Sequence, residues 1–412
     1  MSYFLSRYGQ ATIIEESGGH AQINLSAGQV LQDATFEFSP KLEVFMRDEA
    51  LRGAPGALLP LTAAFYGSTV TVKKPLYRWS ETLPTGNPTE SPDALILKQA
   101  FGAAVSSGYQ AAALDKAESD KVTIALKAGK DRTLYKAGGG IIVHNGTSYA
   151  IAPIHTVVDD DPDTVNLLLP LPWDPSAGDD ATTIYGVRTL SLSKGTRTSF
   201  TLHYQGEGAA MALYFVGALL ESLKGTLDPM GVMQIEATFR VTHVQLDNSG
   251  VAITAPYEYT TSPLPVAMGS YGARLIRGTA IPTTPAELDV HALSFEVALA
   301  HSPVRGHGPS YGVRDVRVDP KFSMTYTKVL NAAPDIGLND NSNRYPLWFC
   351  AGNQPGAMFG LCVPKPTVVE IPGYTNVEGL WAQTYKVEAG FQTTDAPSTD
   401  TPANSGARAY LG

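Results

Sequence analysis

Four residue types in this chain could do chemistry, and their spacing decides whether they do. Cys350 and Cys362 flank a turn at residues 352–356. Pairing of the strands about Gln354 sets Cys350 opposite Phe359 rather than Cys362, so the sequence predicts two free, buried thiols. Neither CxxC nor HExxH is present, which leaves no zinc signature. The run Asp159-Asp160-Asp161-Pro162-Asp163 offers oxygen ligands to a hard cation, but it lacks the spaced ligands and glycine of an EF-hand loop and reads as a solvated loop. Gly138-Gly139-Gly140 leads into a strand, not a helix, and no Walker A or GxSxG motif occurs. The histidines, among them His20, His144, His155, His203, His301 and His307, fall at no ligand spacing. Asn24-Leu25-Ser26 and Asn145-Gly146-Thr147 match the glycosylation sequon, yet the start Met1-Ser2-Tyr3-Phe4 shows no secretory signal that would bring them into use. The catalytic inventory is empty. No enzyme, metal or cofactor is expected.

What the remaining residues build is mostly strand. Phe200, Leu202 and Tyr204 fall on one face of residues 199–204. Residues 35–38, 41–46, 233–241 and 293–299 alternate apolar with polar side chains in the same way. Turn clusters at 205–208, 247–250 and 352–356 separate them. One helix is well signalled: Ser91 as N-cap, Pro92 at the first helical position, Asp93 at the positive end, then a helical apolar pattern through Phe101 to Gly102. A second helix is expected over residues 110–120.

Two stretches resemble each other at an offset of 147 residues, placing Phe200 on Leu347, Leu202 on Phe349, Met211 on Met358 and Val216 on Val363. Just beyond, the run from Gly231 resembles the run from Gly379, and upstream Phe38-Ser39-Pro40-Lys41 resembles Val318-Asp319-Pro320-Lys321. Each unit then reads strand, hairpin turn, strand, loop, strand. The chain is accordingly divided into an N-terminal arm (1–34), a first β domain (35–245) carrying an insertion of extended hairpins and loops (about 133–195), a second β domain (246–392), and an extended Thr/Ser/Pro/Ala-rich tail (393–412) that could lie along a neighbour.

Composition excludes further classes. The chain has 412 residues, 43% hydrophobic but only 17% charged, with 39 Gly and 29 Pro. No apolar run reaches the ~18–20 residues of a helical membrane span. The net charge of −9 and the lack of any basic block argue against a protein that grips nucleic acid by its phosphates.

In order and pattern the sequence resembles the tail tube (major tail) proteins of long-tailed bacteriophages. The likeness is carried by residues 65–72, by the helix Ser91–Gly102, by the hairpin from Ser199 through Tyr214 to Phe239, and by the strand Gln383–Phe391. Together these cover most of 60–245 and 290–395, and the stretch 133–195 departs from the family's compact pattern. The resemblance implies tandem β-sandwich subunits whose sheets join around a ring into an inner β-barrel, rings that stack into a tube in the virion, and a conduit through which double-stranded DNA passes without specific binding. Assembly in the host bacterial cytoplasm, alongside other tail proteins, follows from it. Two such domains in one chain would make a trimer a six-domain ring, preferred here to a hexamer. Asp48, Glu49, Glu236 and Glu388 are candidate lumen-facing acids, ordinary outward strand charges being the competing reading. Two rival functions stay open: another virion assembly protein (baseplate, tail terminator or decoration), and a carbohydrate-active β-sandwich using paired carboxylates and aromatic platforms.

Overall fold

Alternation of apolar and polar residues turns most of this chain into strands that bury one face. A computed structural model describes residues 3–4, 10–16, 29–31, 33–41, 44–48, 58–62, 68–77, 91–102, 104–106, 112–127, 132–145, 148–175, 183–205, 212–227, 231–246, 266, 274–277, 286–288, 290–301, 316–330, 346–352, 356–370, 373–389 and 406–412. The protein is mainly β, with two large antiparallel sheets and one α-helix among these residues.

The larger sheet has fifteen strands. Its main path runs β1 (Tyr3–Phe4), β4 (Thr35–Ser39), β7 (Ser68–Pro75), β18 (Gln234–Val241), β17 (Ala212–Leu227), β22 (Val290–His301), β23 (Val316–Val329), β28 (Leu380–Ala389) and β26 (Pro366–Val368). Beside this path lie β2 (Gln10–Glu15), β3 (Gln29–Val30), β15 (Gly195–Arg197), β16 (Phe200–Gln205), β19 (His243–Leu246) and β27 (Tyr374–Val377). Strand β17 serves two layers. Its first half pairs with β16 and β19, and its second half pairs with β18 and β22. The bend between them falls where the β16 register slips and Gly217 takes φ 65°, a conformation that favours glycine. Buried Glu16 holds the bend: its carboxylate accepts the Gly217 N–H at 2.9 Å, the Thr201 hydroxyl at 2.7 Å, and the Ser199 hydroxyl.

The second sheet contains a closed barrel. Six strands, β9 (Ala112–Asp115), β10 (Thr123–Leu126), β13 (Thr164–Leu167), β12 (Tyr149–Val158), β11 (Gly140–His144) and β14 (Thr183–Ser191), pair in that order, and β14 returns to β9. Closure leaves no free edge. Its interior is filled by Ile124, Leu126, Ile141, Val143, Ile154, Val165, Leu167 and Ile184. The expected insertion of loops and hairpins at 133–195 is therefore part of a packed barrel that begins near 112. The expected helix over 110–120 is corrected as well: Ala112–Asp115 is a barrel strand that buries Leu114. Tertiary pairing overrides the helical preference of Ala and Leu there, and the Asp115 carboxylate, accepting from the Ala117 N–H, turns the chain at once.

Beyond the barrel, the upper half of β14 runs between β8 (Ala104–Ser106) and β29 (Arg408–Leu411), and the sheet continues through β25 (Phe359–Val363), β24 (Leu347–Ala351), β20 (Arg274–Arg277) and β21 (Ala286–Leu288). Of the expected extended tail, the described end is extended but pairs within its own chain: β29 is buried and joins β14 to β25. In the β24–β25 hairpin Cys350 pairs with Gly360 and Ala351 with Phe359, one residue from the expected register; no disulfide joins the two cysteines, and Cys362 is buried while Cys350 is only partly so. The likeness of 38–41 to 318–321 has no topological counterpart, because β4 occupies the place in the sheet that β22, not β23, occupies farther along.

The two sheets sandwich one apolar core, in which Phe295 of the large sheet stacks on Phe322 and on Phe359 of the second sheet. Helix α1 (Pro92–Phe101) lies in this core, buried except for Lys98. It starts as its sequence dictates, with the Ser91 hydroxyl accepting the Ala94 N–H at 3.2 Å and proline at the first turn. Asp93 takes the Lys74 ammonium at 2.5 Å and the Tyr77 N–H at 2.8 Å, tying the helix start to β7. At the other end Arg197 donates to the carbonyls of Gln99 and Phe101, and burial brings its guanidinium down to about 10.

Candidate functional site

One face of the large sheet looks into the core, and the strand alternation turns the other face outward. Residues opposite one another across β7, β18, β17, β22, β23 and β28 form rows on that open face. One row reads Lys73, Glu236, Lys224, Glu296, Ser323, Glu388. The signs alternate over the first four positions, so each charge has an opposite neighbour. Lys73 and Glu236 meet at 3.3 Å, and Arg240 pairs with Glu221 one strand over. The adjacent rows are hydroxyls and small groups over their first strands and end in lysines: Thr71 lies 3.3 Å from Thr238, with Ser222, Ala298 and then Lys321 beyond, and Ser294 and Thr325 lead to Lys386. Across β7, β18, β17 and β22 no aromatic side chain projects from this face among the described residues.

Two of the four candidate acids, Glu236 and Glu388, lie on this face in the same row. Asp48 does not: it ends β5 (Val44–Asp48), which pairs only with β6 (Leu58–Thr62) in a separate two-stranded sheet. Glu49 lies outside the described residues. The sequence reading missed Lys73, Lys224 and Glu296. Their outward parity was readable from the alternation within each strand. That they stand side by side was not, because the register joining residues 73, 236, 224 and 296 is fixed only in the folded sheet.

The two ends of the sheet differ from its middle. At one end β26 and β27 pair with β28 and with no further strand among the described residues. The β27–β28 hairpin turns on Glu378 (φ 50°) and Gly379 (φ 87°), and the Gly379 N–H reaches the Asn376 side chain at 2.9 Å. This end carries Tyr374 (59% exposed), Leu380 (56%) and Trp381 (63%), with the Tyr374 and Trp381 rings edge to face at 6.4 Å. Exposed Lys386 pairs with Glu370 at 3.0 Å, and that hydrogen bond raises the lysine pKa. At the other end, among the described residues, β1 pairs with Glu37 and Phe38 of β4.

Elsewhere the titratable groups are structural. Arg132 bridges Asp159 and Asp163 of the acidic run, and no cluster of three metal-binding side chains forms among the described residues. Burial pushes the Cys362 thiol up to about 12 against a smaller opposing pull from Arg408. Burial also lowers the pKa of His144, which stacks on Tyr149, and of His155. No helix among the described residues is long and apolar enough to cross a membrane. No protein-family model matches the chain, and no curated protein matches it.

Among the described residues the arrangement forms no metal-binding cluster. It offers a broad face of paired charges and hydroxyls, bounded by strands with open hydrogen-bonding edges.

Proposed function

We propose that this chain is a structural virion protein that polymerises as stacked rings into a bacteriophage-type tail tube, a conduit for genome ejection. The observation that carries the reading is the order of strands along the large sheet. β4-β7-β18-β17 is followed by β22-β23-β28-β26. In chain order each set also has two sheet strands (β4, β7 or β22, β23), then a hairpin (β16–β17 in the large sheet, β24–β25 in the second sheet with β26 following it into the large one), and a returning strand (β18 or β28). The last strand of the first set passes its edge to the first strand of the second, from Ser222 opposite Ala298 to Leu227 opposite Leu293. A unit that accepts a copy of itself on one edge makes a head-to-tail contact, which closes into a ring when the rotation allows. Within one chain that contact is already made once. Three chains would then make a ring of six units.

The open face suits the lumen of such a ring. A duplex must slide along it, so a row of phosphate-binding cations would hold the DNA by counterion release, whereas Lys73 stands beside Glu236 and Lys224 between Glu236 and Glu296. Closing a barrel across chains also removes the exposed edges that otherwise favour aggregation.

Negative-stain electron microscopy of the purified full chain, with mass photometry of the same sample, tests the reading. Rings of three chains that stack into hollow filaments are expected. Single rings that never stack would move the assignment to a terminator-like assembly protein, and a monomer at every concentration would remove it.

A further inference from the structure

We infer that the β26–β27 edge, together with the tip of the β27–β28 hairpin, is the surface by which one chain holds a second copy of itself. This rests on the ring reading above and assigns its contact to particular residues. Three observations converge on this end of the sheet. Of the exposed large apolar side chains among the described residues, Val369, Tyr374, Leu380 and Trp381 all lie here, and only Val158 lies elsewhere. Isolated exposed apolar residues need no explanation, but an exposed indole and phenol in ring contact, Trp381 and Tyr374, mark a contact surface. The same segment is a sheet edge, with backbone groups of β26 and β27 on the side away from β28 facing no strand among the described residues. Such an edge is a template for another strand.

The third observation identifies the occupant. Within the chain, β17 stands to β18 as β26 and β27 stand to β28, and the free edge of β17 receives β22. The counterpart of β22 in the first set is β4, since each flanks the strand, β7 or β23, that lies beside the returning strand. The strand offered to the β26–β27 edge is thus the β4 end of another chain, whose outer edge carries the two-residue β1 at Glu37 and Phe38 and leaves Thr35, Phe36 and Ser39 without a strand among the described residues. The contact is head to tail and lateral. The I′-type turn at Glu378-Gly379 pre-forms the hairpin that carries Leu380 and Trp381, so little of it must be ordered on binding.

The test uses the full chain as wild type, Trp381→Lys, Tyr374→Lys and, as a control at the remote apolar position, Val158→Lys. Association is followed by mass photometry across a concentration series, folding by near-ultraviolet circular dichroism, and amide hydrogen exchange by mass spectrometry over residues 366–381. Trp381→Lys and Tyr374→Lys are expected to raise the concentration for half-association at least tenfold while staying folded, with Val158→Lys within twofold of wild type. Amides of 374–381 should gain protection in the wild-type oligomer. That exchange reading needs no variant, so it stands even where a lysine variant misfolds. Wild-type rings in which 374–381 exchange as freely as in the monomer, or rings undisturbed by both lysines, would overturn this inference and leave the ring reading intact. A wild-type chain that never associates would remove both.

Discussion

The buried pair under helix α1 gives the sharpest energetic prediction. Lys74 is 2% and Asp93 0% exposed, and their charged atoms lie 2.5 Å apart. Asp93→Asn keeps the volume and the Tyr77 N–H contact but leaves the Lys74 ammonium buried without its counter-charge. Breaking one partner of a buried pair costs about 3–5 kcal/mol. Lys74→Met leaves a carboxylate that still accepts the Tyr77 N–H and sits in the first turn of α1, where the helix dipole favours it, so its cost should fall at the low end, about 3 kcal/mol. The double variant buries no lone charge, and replacing a whole buried pair is often neutral, so its cost should lie well below the sum of the two singles. Urea unfolding followed by circular dichroism on wild type, both singles and the double closes the cycle. At slopes of about 1–3 kcal/mol per molar urea, a 3 kcal/mol loss lowers the midpoint by at least about 1 M. Additive single effects, or an Asp93→Asn midpoint indistinguishable from wild type, would refute the argument that the pair is electrostatically isolated from solvent.

Other outcomes follow from the packing. A methyl group on Gly225 would sit 2.2 Å from the Phe295 ring across the β17–β22 join, so Gly225→Ala should lower stability by about 1–3 kcal/mol, read as a melting-temperature drop. Deleting residues 407–412 removes the strand between β14 and β25 and leaves both with unpaired backbone; the truncated chain should lose the near-ultraviolet signal of Trp348, whose ring packs against Tyr410 at 5.1 Å. With its thiol raised to about 12 and fully buried, Cys362 should resist a thiol-exchange reagent at pH 8 in the native protein while Cys350, partly exposed, reacts, and urea should expose both.

The sequence carried the local choices well and the long-range ones poorly. Ser91, Pro92 and Gly102 specify both ends of α1 because caps are settled within a turn of the chain. Strand parity was equally local: Glu236 and Glu388 both fall on the open face, as alternation requires. The helix expected at 110–120 failed because a short Ala-rich run has weak preferences that barrel closure overrules. Barrel closure itself depends on β14 meeting both β9 and β11, pairings over 30 residues or more that no spacing rule exposes. The likeness of 200–216 to 347–363, and that of the run from Gly231 to the run from Gly379, pointed to matched halves. What they could not give is that β17 and β22 lie side by side, or that the charged row is continuous from Lys73 to Glu388.

The β17–β22 join separates two kinds of contact that would otherwise be alike. It forms when the chain folds and holds at any protein concentration, because its partners are covalently tied. In the proposed ring, dilution would act only on the contacts at the sheet's outer ends. Chains joined in this way would have half as many junctions to lose as single units would, and the ring would come apart into paired strand sets rather than into lone ones. If Trp381 holds the next chain as inferred, that contact could be tuned without loosening the sheet that each chain brings to the ring.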